Sequence, residues 1–198
     1  MIYLVRHGET AWNRERRIQG HLDSDLTARV RSQARRMGRT LSALVGYRNS
    51  FAMVASPLGR VRQTASIICE TLGRDAHAYA TDDRLKEITW GDWDGLTLDE
   101  IEARDPGELA RRRRNLWRYV PPGGESYRMV ASRAKDWLGE ITPQRCLVVV
   151  AHGALGRVLR GLYANLSIPE TLAQDEPQDA AFRLHRGAIE RIEVGSTD

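Results

Sequence analysis

The sequence predicts an α/β fold: a three-layer α/β/α sandwich with a mainly parallel central sheet, a C-terminal antiparallel hairpin and a small helical cap. Three observations carry this expectation. Short apolar runs at residues 2–5, 51–55 and 146–151 have the length and composition of buried strands. Between them, apolar residues recur at helical spacing, as Val30, Ala34, Met37, Leu41 and Leu44 do. Strands that alternate with amphipathic helices bury a parallel sheet between two helical layers.

The elements follow in order. The first strand stops at Arg6-His7, and Gly8 lets the backbone turn. A loop with Ala11-Trp12-Asn13 and Gln19-Gly20-His21 comes next, before a helix that Leu26-Thr27 opens and Gly46 ends. After the second strand, Ser56 is the expected N-cap and Pro57 the first helical residue, with Val61, Ala65, Ile68 and Leu72 facing the core. Residues 76–80 read as a short third strand, and residues 85–95, rich in Trp and Gly, as a packed irregular loop. Thr97 and Glu100 form a capping-box pattern, Asp105-Pro106 breaks that helix, and a second helical stretch carries Arg111, Arg112, Arg113 and Arg114. A longer helix starts near Ser126, another follows His152-Gly153, and residues 182–194 turn at Arg186-Gly187 as a hairpin.

Composition limits the functional classes. The chain has 198 residues, enough to bury a sizeable core, and reads as one domain over residues 1–198 with a helical cap insertion at 96–122. Its apolar runs are far too short to span a bilayer. A strand that begins at residue two leaves no room for a signal peptide, so a cytoplasmic location and no membrane partner are expected. Cys69 and Cys146 fall in a helix and a strand, as buried thiols rather than a disulfide framework. The net charge is +4, and only Lys86 and Lys135 among the 30 basic residues are lysines. Arginine's planar fork suits phosphate. Only the run Arg111–Arg114 hints at a basic face interleaved with aromatics, so a nucleic-acid partner is not expected, and a homodimer stays open.

The chemistry gathers at strand ends. Ligands of such sheets bind outside the carboxyl ends of the strands. Arg6-His7 follows the first strand, Arg60 sits in the first turn after the second, and His152 follows the last parallel one. Two arginines, two histidines and two helix N-termini on one rim make a phosphate pocket.

The blocks L-V-R-H-G-E-T, S-P-L-G-R-V-R-Q-T-A, L-K-E-I-T-W-G-D-W-D-G, P-G-G-E-S and V-A-H-G resemble those of the histidine phosphatase superfamily, the phosphoglycerate-mutase-like clan, and run in its order over residues 2–153. The resemblance implies that His7 is the nucleophile and passes through a phosphohistidine. It implies that Arg6, Arg60 and His152 hold the phosphoryl oxygens, and that Glu87 is the acid and then the base. It further places Gly8, Asn13, Gln19, Gly20 and Gly153 at the substrate, a small phosphorylated metabolite. No metal and no cofactor are required, because the cations are arginines. The short segment 96–120 and the pattern E-x-x-x-G-x-W-x-G around Glu87 resemble the phosphatase branch. A bisphosphoglycerate-dependent mutase and a non-catalytic phosphate-binding module are the alternatives. Asp94 stands where that branch usually has glutamate.

Overall fold

A computed structural model describes residues 1–28, 30–45, 51–142 and 146–194. Its centre is a six-stranded sheet in the order β3-β2-β4-β1-β5-β6. The strands are β1 Ile2–Arg6, β2 Phe51–Ala55, β3 Ala80–Thr81, β4 Cys146–Ala151, β5 Ala180–His185 and β6 Ala188–Glu193. The first four run parallel to one another, while β5 lies antiparallel on β1 and β6 closes the hairpin.

Period-two alternation splits the core into two halves, because successive side chains of a strand point to opposite faces. Ile2, Leu4, Leu147 and Val149 pack on one face against α6 Tyr127–Glu140 and α7 Gly153–Tyr163. Tyr3, Val5, Val148 and Val150 pack on the other against α2 Val30–Val45 and α3 Gly59–Thr71. Helices on both faces give the three layers that the sequence predicts. A third cluster of Trp93, Ile101 and Leu109 lies beneath α4 Leu98–Arg104 and α5 Glu108–Arg114. Trp93 is fully buried and its indole N–H donates to Asp105 at 2.6 Å, so the two cap helices are pinned to the loop that carries Glu87. The Thr97–Glu100 capping box forms as expected.

Several boundaries differ. The helix expected to open at Leu26-Thr27 begins at Val30, because Thr27 is engaged by Glu9, with its N–H on the Glu9 carbonyl at 3.1 Å and its hydroxyl on the carboxylate at 3.2 Å. Its expected stop at Gly46 lies outside the described residues. Ser56-Pro57 does not open α3. The cap is Leu58, and Ser56 lies between β2 and α3 with its hydroxyl turned to His152. The third strand is only two residues long and starts at Ala80. Residues 11–13 belong to a short helix, α1 Ala11–Glu15, where Thr10 and Asn13 cap each other. A further helix, α8 Ile168–Ala173, was not expected. Cys69 is buried and Cys146 half-buried, and no disulfide joins them.

Candidate active site

The sheet delivers the chemistry to one edge. Arg6 ends β1 and pairs with Ala151, which ends β4, and the Ser56 N–H after β2 donates to the Val150 carbonyl at 3.1 Å. Three neighbouring parallel strands therefore present Arg6-His7, Ser56 and His152 side by side at their carboxyl ends.

Both imidazoles are 2% exposed, with ring centroids 5.3 Å apart. His7 Nδ1 lies 2.8 Å from the Gly8 carbonyl oxygen. A carbonyl only accepts, so Nδ1 carries the proton and Nε2 keeps its lone pair. Burial, then Arg6 and Arg60, hold the His7 pKa well below its ordinary 6.5, and the ring is neutral at neutral pH. His152 Nε2 meets the Ser56 hydroxyl at 2.8 Å. Burial, followed by Arg60 and His7, lowers its pKa as well.

Arg60 is 1% exposed and fixed from three directions. It donates to the carbonyls of Leu22 and Gly20, both at 2.7 Å, and to Asp23 Oδ1 at 3.1 Å. Asp23 also accepts the Gly59 and Arg60 N–H groups, so one carboxylate caps α3 and anchors its arginine. Arg6 donates from Nη1 to the Glu176 carbonyl. Arg6 Nε, Arg60 Nε and His152 Nδ1 are buried polar atoms without a partner among the described residues. Leaving such an atom unpaired costs about 1–3 kcal/mol. Three such atoms on adjacent residues at one edge suit an oxyanion.

Beside them opens a cavity of about 180 Å³. Arg6, His7, Asn13, Gln19, Gly20, Arg60 and Glu87 line it. Glu87 sits at the start of α7, where its carboxylate accepts the N–H groups of Ala154 at 3.2 Å and Leu155 at 3.0 Å. His152, Gly8 and Gly153 are not in the cavity wall. Gly8 instead supplies the carbonyl that orients His7, and a Cβ there would lie 2.2 Å from Val30. At Gly153 a Cβ would lie 2.4 Å from the Glu176 carboxylate.

Some contributors had no signal in the sequence. Ser56 fitted an N-cap pattern equally well. Arg133, two turns into α6, donates to the carbonyls of Arg84, Lys86 and Glu87 and so clamps the Glu87 loop. Glu176 and Tyr127 also line the cavity. His21, in the loop after α1, brings Nε2 to 2.8 Å from the Glu87 carbonyl.

Asp94 explains its own departure from the family pattern. It accepts from Trp90 N, the Thr89 hydroxyl and His21 N, stapling the Gln19–Gly20 turn to the Glu87 loop. Gly20 has φ +50°, and a Cβ there would come within 2.0 Å of the Asp94 carboxylate. The shorter acid fits this close approach. Gly20→Ala should therefore cost about 1–3 kcal/mol in denaturant titration and raise KM several-fold, because the Gly20 carbonyl holds Arg60.

This fold belongs to a known class. The family described as the histidine phosphatase superfamily (branch 1) matches residues 2–184, and the chain belongs to it. Among its relatives is the glucosyl-3-phosphoglycerate phosphatase of Mycobacterium tuberculosis, 35% identical over an alignment spanning 84% of this chain and 76% of the relative. The mycobacterial enzyme solved with VO3 has a TM-score of 0.78 at 30% identity, over 98% of both chains. A Salmonella paratyphi C protein named "Probable phosphoglycerate mutase GpmB" is 36% identical over 78% of this chain and 71% of its own. The alpha-ribazole phosphatase of Shigella flexneri shares the fold, with a TM-score of 0.81 at 18% identity over 98% of this chain and 96% of that one. The chain is an enzyme of the phosphatase kind within this superfamily. No helix among the described residues is long and apolar enough to cross a membrane.

Proposed function

We propose that the protein hydrolyses small phosphomonoesters through a phosphohistidine on His7. The observation that carries this is the neutral, buried imidazole whose Nδ1 is committed to the Gly8 carbonyl, beside two arginines whose Nε atoms lack partners. In the first step His7 Nε2 attacks phosphorus and the ester bond breaks, with Glu87 giving the leaving oxygen its proton. In the second step Glu87 takes a proton from water, which attacks the phosphohistidine and releases phosphate. Arg6 and Arg60 hold the charge that spreads over the phosphoryl oxygens, with His152 beside them. Asn13, Gln19 and Gly20 shape the substrate side of the cavity.

Hydrolysis is favoured over mutase chemistry because the segment between the Glu87 loop and α6 is short and folds onto Trp93, leaving the cavity open to water. We read the chain as one domain with its cap at 96–122, acting in the cytoplasm without metal, cofactor or nucleic acid. A glucosylated phosphoglycerate, the substrate in the mycobacterial relative's name, is a first candidate.

The test is turnover of a panel of phosphomonoesters in the presence of chelator, with acid quenching to trap the acid-labile, base-stable phosphoenzyme. Conversion of 3- to 2-phosphoglycerate without phosphate release would overturn the reading in favour of the mutase. Glu87→Gln should lower kcat by about 100- to 1000-fold for alkyl phosphates. For p-nitrophenyl phosphate, whose leaving group needs no proton, the loss in the single-turnover phosphorylation rate should be several-fold at most, while steady turnover still falls because Glu87 also serves the water step. Equal losses in the phosphorylation rate on both substrates would remove Glu87 from the acid role.

A further inference from the structure

Two carboxyl side chains line the cavity, Glu87 and Glu176, and the mechanism uses only the first. Glu176 belongs to the 174–179 segment, which is tied to the site at several points. Its carbonyl accepts from Arg6, and Gln178 Nε2 donates to Asn13 Oδ1 at 3.1 Å and to the His7 carbonyl at 3.4 Å. Its carboxylate is divided between two environments. Oε1 pairs with Arg157 Nη2 at 2.8 Å. Oε2 makes no hydrogen bond among the described residues. A Cβ built on Gly153 would lie 2.4 Å from Oε2 and 3.2 Å from Arg6 Cζ, so Oε2 and the Arg6 guanidinium both border the Gly153 α-carbon, without an ion pair between them among the described residues.

This is an acceptor-only oxygen beside an arginine that the phosphatase reading gives to the phosphoryl group. Two anionic oxygens facing each other across one guanidinium repel. The Glu176 side chain is held by Arg157 on one side and lies against Gly153 on the other. We infer that Glu176 is a proton-bearing ligand of the phosphoryl site: as a phosphate group enters, Oε2 takes one proton from solvent and donates it in a hydrogen bond to a phosphoryl oxygen, while Oε1 stays on Arg157. No other bond forms or breaks in this step. The inference rests on the phosphatase reading.

The surrounding charges agree with a carboxyl poised to take that proton. Burial, then Glu87, push Glu176 above its ordinary value, against the pull of Arg157, Arg6 and Arg160. Of the other groups that face the cavity, Tyr127 on α6 is pushed up to about 12 by burial and stays neutral, and His7 is neutral. Asp175, next along the chain, is turned away onto Arg160 and Arg191. The sign follows. Below the carboxyl's free-state pKa the proton is already in place and binding is undiminished. Between that value and the higher bound-state pKa, binding must draw a proton from an ever more dilute pool, and affinity falls.

The experiment is calorimetric titration with inorganic phosphate, from about pH 5 to about pH 8, in buffers of different ionisation enthalpy. Wild type and Glu176→Gln are compared. Phosphate's own titration and any uptake by His7 or His152 are common to both proteins and cancel. The wild type should take up about one proton more per phosphate than the Gln variant, and its affinity should fall about tenfold more steeply per pH unit above the transition. At the alkaline end the Gln variant should bind more tightly. Equal uptake with parallel profiles overturns the inference alone. Absence of phosphate binding to the wild type overturns it together with the phosphatase reading. Infrared difference spectra of the wild type and of Glu87→Gln give a second reading that leaves Glu176 in place. A protonated-carboxyl band appearing on phosphate addition in both proteins supports the inference, and its absence from either overturns it.

Discussion

His7→Ala is expected to lower kcat at least about a thousandfold on every phosphomonoester, and to abolish the acid-labile phosphoenzyme. Among the described residues that line the cavity, His7 is the one imidazole, and its free lone pair is fixed locally: Nδ1 is spent on the Gly8 carbonyl, and the peptide N–H is spent on Ala151 at 3.0 Å. Removal leaves Arg6, Arg60 and His152 in place, so phosphate should still bind within several-fold of wild type. The kinetic signature is therefore a kcat collapse with KM nearly unchanged. The substitution should also alter the pH dependence of stability in a stated direction. The His7 pKa is depressed in the folded protein, so below about pH 6.5 the unfolded chain takes a proton that the folded chain refuses. Wild-type stability is then lost as pH falls through that value, and the Ala variant should lose less of it. Denaturant midpoints measured at neutral and mildly acid pH check this, and activity retained in the variant would end the phosphohistidine reading.

The parts of this molecule visible in its sequence share one property: they depend on short-range patterns. The strands at residues 51–55 and 146–151 stand at the expected bounds because buried parallel strands are continuous apolar runs. Arg60 stands in the first turn of its helix as expected, although the Ser56-Pro57 pattern that placed it there does not open that helix. What the sequence hid depends on distant partners. Ser56 looked like a cap, and only the fold shows that its hydroxyl is 2.8 Å from a histidine 96 residues away. Arg133 carries no motif, because its function is to meet three carbonyls of the Glu87 loop from a different layer. Thr27 failed to start a helix because Glu9, eighteen residues earlier, claimed its N–H and hydroxyl. Gly8 shows the reverse case: the residue was singled out, but its position serves the His7 tautomer and the packing of Val30 rather than the cavity wall.

Arg60→Ala should be the most damaging arginine substitution, for stability and activity together. The guanidinium donates to Leu22, Gly20 and Asp23 on one side and leaves Nε for the phosphoryl group on the other. Truncation would strip buried carbonyls of their donors and leave a cavity, at a cost of about 2–4 kcal/mol. Loss of one preorganised cation from the transition state should lower kcat/KM by about a thousandfold. Because a weakened fold could mimic the second effect, the decisive comparison is Arg60→Lys. Lysine keeps the charge but is a single point of three donors on a flexible stem, and it cannot address two carbonyls of the 20–23 turn and a phosphoryl oxygen at once. The Lys variant should therefore regain most of the stability, as read from its denaturant midpoint, while kcat/KM stays within about tenfold of the Ala variant. Recovery of activity in step with stability would mean that charge alone suffices at this position, and that the fork held by Gly20, Leu22 and Asp23 has no catalytic purpose.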